Sequence, residues 1–104
     1  MEDEQGLAAA AELFKALGSE SRLGLLRQLS SAPRTVTALV AVTGMSQPLV
    51  SQHLRTLRGL GIVAVERSGR EALYRLADHH IAHVIDDTIA HVLEETDPAK
   101  EQQS

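Results

Sequence analysis

A chain of 104 residues with 43% hydrophobic content can bury one modest core and is too short for a second folded domain. The absence of cysteine excludes disulfides, thiolate metal sites and thiol redox sensing, and one Phe, one Tyr and no Trp leave a core of Leu, Val, Ala and Ile, which suits helices packed on helices. The net charge of -4 conceals a segregation, because residues 21–76 hold eight arginines against only Glu66 and Glu71, between acidic flanks.

Residues 1–6 are acidic and lack apolar periodicity, so a disordered N-terminus is expected there, ahead of one domain over residues 7–95. Leu7, Ala10, Ala11, Phe14 and Leu17 then recur at three- and four-residue spacing, predicting an amphipathic helix that Gly18 ends. Ser19 is placed to cap a second helix, Glu20 to about Leu29, before Ala32-Pro33-Arg34 breaks the pattern. Val36, Leu39, Val40 and Val42 give a short third helix closed by Gly44, and Ser46 caps a fourth that runs to about Leu60 with Pro48 in its first turn. Residues 62–67 and 70–76 read as two strands about a Ser68-Gly69 turn. A fifth helix, about His79 to Glu95, follows the cap Asp78. Its apolar residues Ile81, Ile85, Thr88 and Val92, widened by Ile89, have the 4-3-4 spacing of a coiled-coil seam, and the expected partner is the same helix of a second copy. Residues 96–104 are expected to be a flexible polar tail.

This order predicts a mostly α fold with one β-hairpin: a winged helix-turn-helix of five helices plus wing, dimerising through terminal helices. In a helix-turn-helix the start of the second helix enters the major groove. Here that helix offers Ser46, Gln47, Ser51, Gln52, His53 and Arg55 to base edges and phosphates, while Val50, Leu54 and Leu57 anchor it. Arg67 and Arg70 flank the hairpin tip, suited to backbone or minor-groove contact. Double-stranded operator DNA is the expected partner.

The chain resembles the ArsR/SmtB bacterial metalloregulators over roughly residues 13–95. The resemblance is carried by residues 16–23 (ALGSESRL), 46–57 (SQPLVSQHLRTL) with its V-S-x-H-L-x-x-L run, Gly61-Ile62-Val63, Arg67-Ser68-Gly69-Arg70 and Tyr74-Arg75-Leu76. It implies a winged-helix homodimer acting as a transcriptional repressor.

Four of the five histidines, His79, His80, His83 and His91, lie on the fifth helix among carboxylates. Imidazole with carboxylate and no sulfur suits Zn, Ni or Co. His80 and His91 are eleven residues apart, so they share a face yet stand about 16 Å from one another, too far for one ion. An antiparallel pairing of two such helices about a twofold axis brings residue 80 of one level with residue 91 of the other. Asp78 and His80 then meet His91 and Glu94 of the second copy, giving two sites per dimer. The same D-x-H, ten residues, H-x-x-E spacing resembles the family's fifth-helix sensors. His79 or His83 could enlarge the shell from tetrahedral toward octahedral. The expected function is a repressor released by a divalent transition metal; the alternative is a regulator or activator of the same fold with a vestigial metal site, controlled by a partner protein. Catalysis is not expected, since nothing supplies a nucleophile or oxyanion hole. Without a long apolar run, and with an acidic rather than basic start, the chain is expected to be cytoplasmic and to have no membrane partner.

Overall fold

Four helices begin at a side chain that accepts from the backbone N–H three residues on. In the computed structural model, which describes residues 2–95 and the side chains of residues 4–94, helix α2 (Glu20–Ser31) starts at Ser19, whose hydroxyl accepts from Arg22 at 3.3 Å. Thr35 does the same for α3 (Val36–Thr43), Ser46 for α4 (Gln47–Gly59) and the Asp78 carboxylate for α5 (His79–Glu95), with distances of 3.1, 3.3 and 3.1 Å. Each satisfies a donor with no intrahelical partner and contributes about 1 kcal/mol.

Helix α1 spans Glu2–Leu17, so the disorder expected over residues 1–6 gives way to helix from Glu2 onward. Acidic residue types are favourable in a first helical turn, at the positive end of the macrodipole, so an acidic run is compatible with a helix start. The expected tail, residues 96–104, lies outside the described residues.

Three glycines turn the chain in the left-handed region, where other residues fit less easily. Gly44 (φ 75°) ends α3 in the left-handed region with its N–H on the Val40 carbonyl at 3.0 Å, producing the tight turn into α4. Gly61 (φ 74°) ends α4 with paired bonds, Ile62 N–H to Leu57 C=O at 2.9 Å and Gly61 N–H to Arg58 C=O at 3.0 Å, the Schellman arrangement. Strands β1 (Val63–Ser68) and β2 (Glu71–Leu76) follow as an antiparallel hairpin, Val63 opposite Leu76 and Ser68 opposite Glu71. The connecting pair is Gly69-Arg70, one residue later than the expected Ser68-Gly69. Gly69 (φ 65°) takes the first central position of a two-residue turn, the place where a type II′ turn requires glycine.

The hairpin's base is fixed by a pairing that sequence alternation does not reveal. Arg34, between α2 and α3, exchanges both backbone hydrogen bonds with Tyr74 at 2.9 and 2.8 Å, and Ala77 N–H donates to Ile62 C=O at 2.9 Å. The core beneath gathers Leu25, Leu26 and Leu29 of α2, Leu39 of α3, Val50, Leu54 and Leu57 of α4, Ile62, Val63 and Leu76 of the hairpin segment, and Ile81 and Ile85 of α5. This corrects one expectation. Ile81 and Ile85, assigned by spacing to a dimer seam, are 7% and 1% exposed within the single protomer, because α5 lies across α2 and β2 and needs its apolar stripe there. Ile89 also packs against the core, half-buried, while Thr88 and Val92 remain exposed.

Candidate nucleic-acid interface and metal site

Val50, Leu54 and Leu57 hold α4 to the core, each burial contributing about 1.5–3 kcal/mol, and this fixes which residues face out. Ser46, Gln47, Gln52 and Arg55 are exposed, and Ser51 and His53 are half-buried at the margin. Arg67 and Arg70 are exposed at the hairpin tip, Arg70 within the turn itself.

The eight arginines of the basic middle divide into two sets. Arg22 donates from Nε to the Ala16 carbonyl at 2.6 Å, and Arg34 from Nε to the Gln28 carbonyl at 3.0 Å, each closing the C-terminal end of the preceding helix. Arg75 donates to the Leu76 and Ala77 carbonyls, and Arg27 pairs with Asp86. The other four, Arg55, Arg58, Arg67 and Arg70, form no side-chain hydrogen bond or ion pair with the described residues. No motif singles out Arg58, although its spacing of three from Arg55 places it beside that residue on the exposed side of α4. Two surfaces, the recognition helix and the wing tip, thus hold the uncommitted arginines among the described residues.

Burial and the nearby Arg22 guanidinium together push the His53 imidazole below its ordinary value near 6.5, burial being the larger cause. In the free chain, burial and Arg22 thus both favour the neutral ring. The unfolded chain takes up a proton first as the pH falls below about 6.5, so this group leaves stability unchanged above that value and lowers it from there down to the folded-state value. Melting temperature against pH should fall less steeply on the acid side of 6.5 in His53→Gln than in the parent chain.

On α5 the Asp78 carboxylate that caps the helix lies 3.7 Å from His80 Nδ1, so these two candidate ligands are already together. They border a hollow lined by Leu13, Leu17, Gly61, Ile81 and Val84. The His79 ring stacks tilted on His80 at 4.3 Å between centroids and meets His83 edge-on at 5.9 Å. His91 and Glu94 sit exposed three turns away. No three His or carboxylate side chains converge on one point among the described residues of the protomer. The donor set fits an ion only as two halves, Asp78 with His80 and His91 with Glu94.

The flank of α5 that carries His80 and His91 also carries Val84, 36% exposed, beside Phe14 of α1, 59% exposed. Phe14, Leu17, Leu23, Val84 and Thr88 line an apolar groove between α1 and α5.

Five helices with a two-stranded wing after the helix-turn-helix define a winged-helix domain. The sequence model of the bacterial regulatory protein family arsR matches residues 19–65. The transcriptional repressor SmtB of Mycobacterium tuberculosis is 52% identical over 79 residues, which cover 76% of this chain and 58% of that protein. The transcriptional regulator NmtR of the same organism is 44% identical over 85 residues, covering 82% of this chain and 71% of NmtR. The solution structure of a homodimeric winged helix-turn-helix DNA-binding domain from Mycobacterium bovis superimposes with a TM-score of 0.83 at 29% identity, covering 89% and 86% of the two chains. The chain belongs to the arsR family of bacterial regulatory proteins. It spans somewhat less than three fifths of the length of SmtB. Among the described residues, no helix is long and apolar enough to cross a membrane.

Proposed function

We propose that the chain is a metal-responsive transcriptional repressor of the cytoplasm, which binds operator DNA as a homodimer and leaves it when Zn, Ni or Co is bound. The observation that carries the DNA reading is the division of the arginines: those not consumed by helix ends and ion pairs lie on α4 and the wing tip, where a duplex would meet them. The names of SmtB and NmtR, a repressor and a regulator of transcription, support the same reading.

The second copy is expected against the α1 and α5 flank marked by Phe14, Val84 and Thr88. There Asp78 and His80 of one protomer would face His91 and Glu94 of the other across two symmetric sites. An ion held there would supply an N/O cross-link between the two α5 helices, tetrahedral with four ligands or larger with His79 or His83. Within the protein, Asp78 both caps α5 and presents its carboxylate, so metal binding and the start of α5 share one side chain. Because α5 rests on α2 and β2, a changed setting of the two α5 helices alters the spacing between the two recognition helices, which must match successive major grooves. By linkage, operator DNA weakens metal binding by the factor with which metal weakens operator binding.

Operator affinity should be measured with Zn, Ni and Co side by side, on the dimer and at fixed salt. A loss of at least tenfold with one of them is expected. Tight operator binding unaffected by all three would leave a DNA-binding regulator under other control, and no operator binding at any salt would overturn the reading altogether.

A further inference from the structure

We propose that Asp86 is a positioning residue that makes the helix-turn-helix follow the sensing helix α5; this rests on the metal-responsive reading above. Both oxygens of its carboxylate are held by α2. Arg27 Nη1 donates to Oδ1 at 3.0 Å and the Ser30 hydroxyl donates to Oδ2 at 2.8 Å.

The rest of the contact between these helices is of a different kind. Leu26 and Leu29 of α2 and Ile85 and Ile89 of α5 belong to one apolar cluster, and dispersion between branched aliphatic chains is non-directional, so it resists separation far more than it resists sliding. A carboxylate gripped at both oxygens by donors three residues apart on one helix is directional and fixes α5 in both translation and rotation on α2. Asp86 also falls at the middle of the segment between His80 and His91, where a pull on the two half-sites acts on α5 as a whole. Helix α2 in turn packs on α3, which packs on α4, so a displacement of α5 that is locked to α2 reaches the recognition helix through contiguous elements.

The pair is about half exposed, 48% for Arg27 and 47% for Asp86, so its net effect on stability is small and removing it leaves the fold intact. What it governs is coupling. In Asp86→Ala, metal-free operator affinity and metal affinity of the free dimer should stay within about twofold of the parent values, while the loss of operator affinity on adding metal should shrink at least fivefold. The charge-exchanged double variant Arg27→Asp with Asp86→Arg restores the ion pair without the Ser30 donation and should recover part of the lost coupling, while a merely structural role would shift the two affinities rather than the coupling between them.

The test is a complete cycle of operator titrations with and without Zn, Ni or Co on the full-length dimer of each variant, with cooperative melting as the check on folding. Equal coupling in the parent and in folded Asp86→Ala would overturn the proposal and spare the metal-responsive reading. Absence of coupling in the parent itself would overturn both. If Asp86→Ala failed to fold, Ser30→Ala, which removes one of the two grips, would carry the same comparison, and unchanged coupling there would likewise overturn it.

Discussion

Ile85→Glu is expected to unfold the protomer rather than to release folded monomers. The side chain is 1% exposed and sits among α2, β2 and α5 core residues, so the replacement deletes a buried aliphatic group at about 2–5 kcal/mol and adds the cost of burying an unpaired carboxylate, several kcal/mol more. Domains of this size are stable by about 5–15 kcal/mol in all. The contrasting substitution is Val84→Glu, one residue away and on the flank beside Phe14. It is expected to keep the far-ultraviolet circular dichroism and cooperative melting of the parent chain while shifting the sedimentation coefficient to that of a monomer. A folded monomer from Ile85→Glu, or an unaltered dimer from Val84→Glu, would mean that the flank carrying His80 and His91 is not the one that meets the second copy.

The difference between those two neighbours shows what spacing alone can and cannot say. Ile81, Ile85, Thr88 and Val92, widened by Ile89, recur at the interval of a seam, and a helix lying on its own protomer needs much the same interval as a helix lying on a partner. Which surface receives the stripe depends on where α2 and β2 are, and that is a property of the whole fold. Caps behave in the opposite way. Ser19, Ser46 and Asp78 act within three residues of themselves, so they mark the starts of α2, α4 and α5 correctly from sequence.

The same distinction runs through the candidate interface. That α4 follows a glycine turn and exposes Gln47, Gln52 and Arg55 is local periodicity, and the hairpin was legible to within one residue of its turn. The fate of the individual arginines was not. Arg22 and Arg34 both reach back six residues to a carbonyl near the end of the preceding helix, an arrangement set by the path of each inter-helix turn. Arg27 finds Asp86 across 59 positions of sequence. A count of the arginines in residues 21–76 therefore overstates about twofold the number left uncommitted for phosphates. The Arg34–Tyr74 bridge is a single residue pair, too short to leave any alternation in the sequence.

Mixed dimers carrying His80→Ala on one chain and His91→Ala on the other are expected to bind one metal ion tightly, against two for the parent dimer and none for either homodimeric variant. In the antiparallel arrangement, residue 80 of one protomer and residue 91 of its partner serve the same site. Both substitutions then fall on one site and leave Asp78, His80, His91 and Glu94 intact in the other. The protomer supports such a division: Asp78 and His80 are 3.7 Å apart at one end of α5, His91 and Glu94 are exposed three turns on, and about 16 Å separates the two histidines along the helix axis. Neither histidine lies on α4 or the wing, so metal-free operator affinity should remain within about twofold of the parent value in every combination. A ligand set drawn from one chain predicts the reverse, since each half of the mixed dimer would then lack a ligand and no tight ion would be bound. Metal stoichiometry on the purified mixed dimer separates the two cases. The value of one requires that the α5 helices run antiparallel with residue 80 level with residue 91, and a value of none removes the cross-chain site and the release mechanism built on it.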